Sequence, residues 1–183
     1  MLGAALGGSM MLAGCGSEAA KDAAAPEASQ AVAGPAGWNA ADACAILDKA
    51  AVAGILEQEV SDAQLSLVHE AGSAEAATSQ CTYLGKDGAS IATLTARWSP
   101  IGDNDQASID QARSAAASAV KAFTDKPVED VPGLGKAAFL VPGIDSLNVF
   151  IDEARMIIVT PQKLPGSASG KDIAVALAKK AGA

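Results

Sequence analysis

The chain has 183 residues, of which 50% are apolar and only 3% aromatic, and it carries a formal net charge of −8. This length is typical of one domain with tails. An acidic surface repels phosphate backbones, so the sequence argues against binding to nucleic acid. Alanine supplies much of the apolar fraction and buries little area, so the core must depend on Val, Leu and Ile. A covalent cross-link would add useful stability to such a core.

The first 14 residues are apolar or small and too short to cross a membrane, which predicts a signal peptide. They end in Leu12-Ala13-Gly14-Cys15, which resembles the lipobox of bacterial lipoproteins. By that resemblance, cleavage precedes Cys15 and the cysteine carries the lipid. No Lys or Arg precedes the apolar run, which fits a true start upstream of Met1. The alternative is an ordinary secretory signal with an incidental cysteine.

Residues 15–38 are predicted to be a lipid anchor followed by a disordered tether, because Ala, Gly, Pro, Ser and Glu dominate them and offer little to bury. The globular domain is predicted over residues 39–183. The second mature position is Gly16 rather than Asp, so inner-membrane retention is not signalled. We therefore expect a cell-envelope protein attached to the membrane by its N-terminal lipid, in the outer membrane if the host has two membranes.

Two cysteines remain once Cys15 is assigned to the lipid. Cys44 and Cys81 form an even pair in a chain expected to be exported, and such pairs are usually oxidised. The alternative is a metal-binding or redox pair, but the chain has no Cys-x-x-Cys and His69 is its only histidine. The sequence therefore predicts a disulfide between Cys44 and Cys81, and no metal site.

The first half of the domain is predicted to be two short helices followed by strands. Residues 38–58 show helical spacing, with Asn39 or Asp42 as the cap of the first helix and Asp48 as the cap of the second. Residues 65–69 alternate as in a short strand. Residues 81–84 and 89–98 are predicted to form a hairpin around Lys86-Asp87-Gly88.

The second half begins with the longest helical pattern, over residues 103–123. A buried stripe is predicted along it, at Ile109, Ala112, Ala116, Val120 and Phe123. Three strands follow as an antiparallel meander, over residues 137–141, 147–152 and 155–160, and a closing helix covers residues 171–181. This order predicts an α+β fold, in which the helices pack on one face of an antiparallel sheet in a single small domain.

Together with the lipobox and tether, two segments resemble the DUF3558 family of bacterial lipoproteins, which is akin to the extracellular sensor domain of a mycobacterial receptor kinase. The first is Asp-Ala-Cys-Ala-Ile-Leu-Asp-Lys-Ala-Ala-Val at 42–52, with Cys-Thr-Tyr at 81–83. The second is Val-Pro-Gly-Leu-Gly-Lys-Ala-Ala-Phe at 131–139. The likeness covers residues 40–180 and departs at Lys136, where an acidic residue is common. It implies the fold, the disulfide and an extracytoplasmic location, but no reaction.

Three motifs with a possible chemical role have simpler interpretations. His69 lies on or near a strand without a G-x-S-x-G nucleophile motif, so we expect an edge or solvent-facing side chain. The run Asp103-Asn104-Asp105 lacks the later ligand and glycine of a calcium loop, which favours helix capping. The pair Gly133 and Gly135 precedes a strand instead of opening a helix, so it predicts a tight turn and not a phosphate loop.

The sequence favours a non-enzymatic module that binds an unknown protein or small molecule, without a cofactor. A partner-binding loop is predicted at Asp125, Glu129 and Asp130, in a Pro- and Gly-rich loop beside Pro127 and Pro132, although an ordinary solvated loop would have the same composition. The alternative function is an extracytoplasmic hydrolase or another enzyme, which would require titratable groups that converge in one pocket.

Overall fold

Residues 34–183, which the computed structural model describes, form four α-helices and seven β-strands. The predicted signal peptide, Cys15 and the tether up to residue 33 lie outside the described residues. In chain order the elements are α1 (Ala43–Ile46), α2 (Lys49–Leu56), β1 (Val60–His69), β2 (Ala77–Gly85), β3 (Ser90–Trp98), α3 (Gln106–Val120), β4 (Glu129–Asp130), β5 (Ala137–Val141), β6 (Ser146–Phe150), β7 (Arg155–Pro161) and α4 (Gly170–Lys180).

Each helix begins at a short polar residue whose side chain accepts the backbone N–H three residues later. The capping residues are Asp42, Asp48, Asp105 and Ser169. A side-chain oxygen at this position satisfies one of the N–H groups that the first helical turn leaves without a partner. Of the two candidate caps for the first helix, the structure shows Asp42 and not Asn39, and the predicted cap at Asp48 is confirmed. At the third helix the cap is Asp105, the last residue of the run that was predicted to cap a helix.

All strands belong to one antiparallel sheet in the order β1-β2-β3-β7-β6-β5-β4. The hairpin predicted around Lys86-Asp87-Gly88 joins β2 to β3, and Gly88 has φ +74° in that turn. The long connection through α3 carries the chain to the opposite edge, and the meander then returns to pair β7 with β3. The α+β class, the antiparallel sheet and the single domain are therefore confirmed.

The sheet is covered unequally on its two faces. One face carries the main core, where α1, α2 and α4 pack on alternate strand residues such as Tyr83, Leu94 and Val159. The helix α3 lies on the opposite face and covers only one end, over Phe139, Val141 and Phe150. Three of the four helices thus pack on one face, as predicted, whereas α3 packs on the other.

Two local predictions differ from the structure. Phe123 is 85% exposed, because the helix ends at Val120, before the next turn that would bring Phe123 onto the sheet. The predicted stripe along α3 therefore stops at Val120. The short strand predicted at residues 65–69 begins earlier, at Val60, and the two-residue strand β4 carries too little pattern to be recognised.

Strand β1 forms one edge of the sheet and is interrupted by a bulge. Ser66 pairs with Gln80 and His69 with Thr78, so Leu67 and Val68 on β1 lie opposite the single residue Ser79 on β2, and β1 has one extra residue. Leu67 has φ +51° and is 72% exposed. Such bulges break the row of backbone groups that an edge strand would otherwise offer to another strand.

Cys44 and Cys81 form a disulfide that connects α1 to the centre of β2. Cys81 is fully buried in the main core. Beside it, the Tyr83 hydroxyl donates to the Leu47 carbonyl, and burial raises the pKa of this phenol. Within residues 34–183, no helix is long and apolar enough to cross a membrane.

Candidate functional site

A cavity of about 590 Å³ opens where the described chain enters the domain. We call it the tryptophan pocket, because both tryptophans of the sequence line it. Its volume lies in the range of about 300–1,000 Å³ typical of small-molecule sites. The lining residues are Gly34, Pro35, Gly37, Trp38, Asn39, Ala40, Ala45, Ile46, Glu70, Ala77 and Trp98.

Trp38 is held from three sides. Its backbone N–H donates to the Pro35 carbonyl at 3.1 Å, which closes a turn before α1. Its indole N–H donates to the Ala181 carbonyl at 3.4 Å, just after α4. The Arg155 guanidinium lies 5.8 Å from the ring centroid, within the range of a cation–π contact. Trp38 is only 7% exposed, so it belongs to the folded core although the tether was predicted to include residue 38.

Trp98 ends β3 and forms the opposite wall of the pocket. It pairs with Ala77 on β2 and Arg155 on β7, so its position is fixed by the centre of the sheet. Gly34 lies against the Trp98 ring: a Cβ added to Gly34 would be 3.6 Å from the nearest indole carbons. The segment before α1 is therefore one wall of the cavity, and the sheet is the other.

Arg155 is itself fixed by Asp152. The Arg155 Nε donates to Asp152 Oδ2 at 2.7 Å, and the backbone N–H groups of Ala154 and Arg155 donate to Oδ1. Burial alone would raise the pKa of Asp152, but these donors outweigh it and the net pKa is lowered. The carboxylate stays ionised, which keeps the guanidinium in place over Trp38.

Polar groups in the tryptophan pocket are few. Asn39 uses its Oδ1 to accept the Ala41 N–H, so its amide N–H groups remain for a ligand. Glu70, in the loop after β1, is the one ionisable side chain among the lining residues. An indole wall with a single carboxylate suits a ligand that has a flat apolar part and a cationic or hydrogen-bond-donating group.

The predicted partner-binding loop lies at the other edge of the sheet. Glu129 and Asp130 form β4, where Glu129 pairs with Lys171 of α4 at 3.2 Å and Asp130 pairs with Arg113 of α3. The Arg113 guanidinium also lies 5.1 Å from the Phe139 ring centroid. Asp125 is exposed in the preceding loop. The structure thus uses two of the three carboxylates to attach β4 to its neighbours, and the loop's binding role stays a prediction.

Asp103, Asn104 and Asp105 have separate structural tasks. Asp103 accepts two bonds from the Arg97 guanidinium, at 2.6 and 2.9 Å, and this contact lowers its pKa. Asn104 is 2% exposed and donates to the Asp152 and Arg155 carbonyls. The run connects β3 and β7 to the start of α3, which agrees with the predicted capping role.

His69 is exposed at the end of β1, 3.7 Å from Glu75, as an edge histidine was expected to be. Within the described part of the chain, no group of three or more His, Cys, Asp or Glu side chains could hold a metal ion. The Gly133 and Gly135 pair lies in a tight turn before β5, with φ +84° and +51°.

No family model matches the chain, and comparison with curated proteins and with solved structures also found no match. The tryptophan pocket therefore has to be interpreted from its own residues. Sequence reasoning missed it because Trp38 and Trp98 are 60 positions apart and meet only through the fold. The available signal was that the chain has just two tryptophans, one before the first helix and one at the end of a strand.

Proposed function

We propose that this protein is a non-enzymatic binding module, anchored to a bacterial envelope through lipid on Cys15, which holds a small ligand in the tryptophan pocket. The observation that carries the proposal is the convergence of Trp38 and Trp98 on one cavity of about 590 Å³. The lipobox at residues 12–15 and the resemblance to the DUF3558 family support the envelope location.

The composition of the pocket supports binding over catalysis. General acid–base chemistry on a substrate commonly pairs two titratable groups with different pKa values. Glu70 has no second ionisable partner among the lining residues. The alternative function, a hydrolase, would require a nucleophile or a second carboxylate in the same cavity.

The ligand class follows from the walls. Trp38 and Trp98 supply apolar and aromatic contact, and Glu70 supplies one negative charge at the rim. A ligand that combines a ring or short apolar body with a cationic group fits this arrangement, because the carboxylate adds attraction where the indoles supply contact area.

The test uses benzylamine, benzyl alcohol and benzoate, which share a ring and differ in charge. Saturation-transfer NMR on the full chain should rank their affinities in that order. Trp98→Leu should weaken all three, whereas Glu70→Gln should remove only the preference for benzylamine. Glu75→Gln is the matched control, since it removes the same charge outside the pocket lining.

Equal binding of the three probes to the unmodified protein would contradict the assigned role of Glu70. If none of the three probes binds, or if Trp98→Leu leaves their binding unchanged, the tryptophan pocket is not a ligand site. Turnover of any ester or glycoside substrate that is lost in Glu70→Gln would favour the enzyme alternative.

A further inference from the structure

The face of the sheet opposite the main core carries two rows of uncharged side chains, which we call the threonine face. Their positions follow from the strand register and from a hydrogen bond between Thr160 Oγ1 and Ser146 Oγ. The first row runs from β1 to β6 through Gln64, Thr82, Thr93, Thr160 and Ser146. The second row runs along the same strands through Ser66, Gln80, Thr95, Ile158 and Asn148.

No helix of the described chain covers these rows. The helix α3 is the one helix on this side, and its cluster is confined to the other end of the sheet, around Phe139, Val141 and Phe150. Most of the threonine-face side chains are half-buried. The rows are therefore accessible from β1 to β7, whereas their β6 members, Ser146 and Asn148, are buried.

The threonine face has no ionised side chain, although the chain carries a net charge of −8. The nearest cation along β3 is Arg97, which is already neutralised by two bonds to Asp103. The two rows themselves offer no counter-charge, and at the β1 end the Asp62 carboxylate accepts a hydrogen bond from Gln64 at 3.1 Å. The electrostatic match is to a neutral partner that exchanges hydrogen bonds.

Asn148 provides a second and independent observation. It is 8% exposed, and among residues 34–183 no group makes a hydrogen bond to its side-chain amide. Among the described residues, the polar side-chain atoms that are both fully enclosed and without a partner are Ser90 Oγ and Ser99 Oγ. The Asn148 amide is not one of them, so it keeps some contact with solvent. A primary amide can donate and accept together, so an amide-bearing ligand would satisfy it.

We propose that the threonine face binds a neutral, linear glycan that carries N-acetyl groups. Four strand spacings of about 4.8 Å give a row of roughly 19 Å, long enough for several sugar rings in line. Hydroxyl side chains face the sugar hydroxyls, Asn148 faces an N-acetyl amide, and Ile158 offers an apolar contact for a ring face. This site is separate from the tryptophan pocket and does not depend on it.

We assign the glycan to the strands of the bacterial cell wall, whose amino sugars are N-acetylated. This choice of source rests on the proposed envelope location, whereas the glycan chemistry rests on the face alone. The two parts are tested by different probes, so the failure of one can be distinguished from the failure of the other.

The chemistry is tested by calorimetric titration of the full chain with chitohexaose and with cellohexaose, which lacks the N-acetyl groups. Chitohexaose should bind on the order of tenfold more tightly, the difference expected for about two neutral hydrogen bonds. The affinity for chitohexaose should not change between low and high salt, because a neutral ligand makes no charge–charge interaction for salt to screen. Saturating benzylamine should not displace the sugar.

The double variant Thr93→Val and Thr95→Val keeps branched side chains suited to strands and should abolish most of the binding. Asn148→Leu should remove the preference for chitohexaose over cellohexaose. Thr78→Val is the matched control, because Thr78 lies on β2 beside Arg97 and outside the two rows. Circular dichroism should show that all three variants remain folded.

Absence of chitohexaose binding, strong salt dependence, or an equal loss in Thr78→Val would overturn the proposal. Sedimentation with purified cell-wall sacculi tests the source. Binding to chitohexaose without co-sedimentation would overturn the assignment to the cell wall.

Discussion

Gly135 lies directly against the Phe150 carbonyl. A Cβ on Gly135 would come within 2.5 Å of that oxygen and 2.7 Å of the Ile151 Cα, and the backbone at Gly135 has φ +51°. The next residue, Lys136, donates its N–H to the same carbonyl at 2.8 Å. The motif at residues 131–136 is therefore a close approach of two backbones that only glycine permits.

We expect Gly135→Ala to destabilise the domain strongly. The left-handed conformation costs an alanine about 1–2 kcal/mol, and displacing the β6 backbone adds roughly 1–3 kcal/mol. Gly133→Ala is the control, because Gly133 has φ +84° but open space around its Cβ position, so only the conformational cost applies. Urea unfolding of both variants measures the difference. Equal losses would mean that the contact with Phe150 is not tight.

Ser79 is predicted to be essential for the attachment of α1. Its buried hydroxyl accepts the Ala43 N–H at 2.8 Å and donates to the Ala40 carbonyl at 2.6 Å. Ser79→Ala would leave both backbone groups unpaired, so we expect a loss of about 1–3 kcal/mol in the free energy of unfolding. Ser61→Ala on the edge strand should cost much less. A stability change no greater than that of Ser61→Ala would show that water replaces the hydroxyl.

The disulfide should account for a large part of the stability. Cys44 and Cys81 are 37 positions apart, and closing a loop of this length is worth up to about 4 kcal/mol in the chain-entropy model. Cys44→Ala should therefore lower the melting temperature. Peptide mapping without reductant should find the two cysteines joined in protein isolated from its native compartment, and free thiols at both positions there would contradict the pairing.

Stability should fall in acid. The Arg97 contact at Asp103 and the N–H donors at Asp152 lower both pKa values below those of the unfolded chain. These carboxylates therefore contribute stability that is complete above about pH 4 and is lost as the pH falls through their folded pKa values. Urea unfolding between pH 7 and pH 2 measures this loss. Asp103→Asn should be less stable at neutral pH and should depend less on pH, and an unchanged pH dependence would rule out Asp103 as a source.

Lipidation is expected at Cys15. Metabolic labelling with a fatty-acid analogue should mark the unmodified protein and leave Cys15→Ser unlabelled, because the thiol is the proposed site of the first acyl chain. Cys44→Ser is the control for the loss of a cysteine. Recovery of unlabelled, soluble protein with an intact signal segment would contradict the lipoprotein assignment.

Local signals in the sequence predicted most elements of the fold. Caps such as Asp48 and turn residues such as Gly88 act within a few positions, and strand alternation is visible along β2 and β3. Phe123 was misassigned because helical spacing does not show where α3 ends. The placement of α3 on the second face depends on long-range packing that no local pattern records.

The tryptophan pocket and the threonine face were harder to predict from the sequence, since both depend on how the strands pair. Thr82 and Thr93 become neighbours only after β2 and β3 pair, and the unpaired state of Asn148 depends on the strands beside it. The acidic loop, in contrast, was conspicuous in composition, yet Arg113 and Lys171 use its charges for packing. A conspicuous charge pattern and a ligand site are thus different properties in this chain.

The hydrogen bond from Trp38 to the Ala181 carbonyl has a mechanical consequence. It attaches the first described residues of the domain to the residue that follows its last helix. A pull on the residues before Trp38 would load this hydrogen bond before it reached Cys44, where the disulfide passes the load to β2. Tension on this segment would therefore distort the tryptophan pocket, because Gly34 and Trp38 line it, before it acted on the sheet.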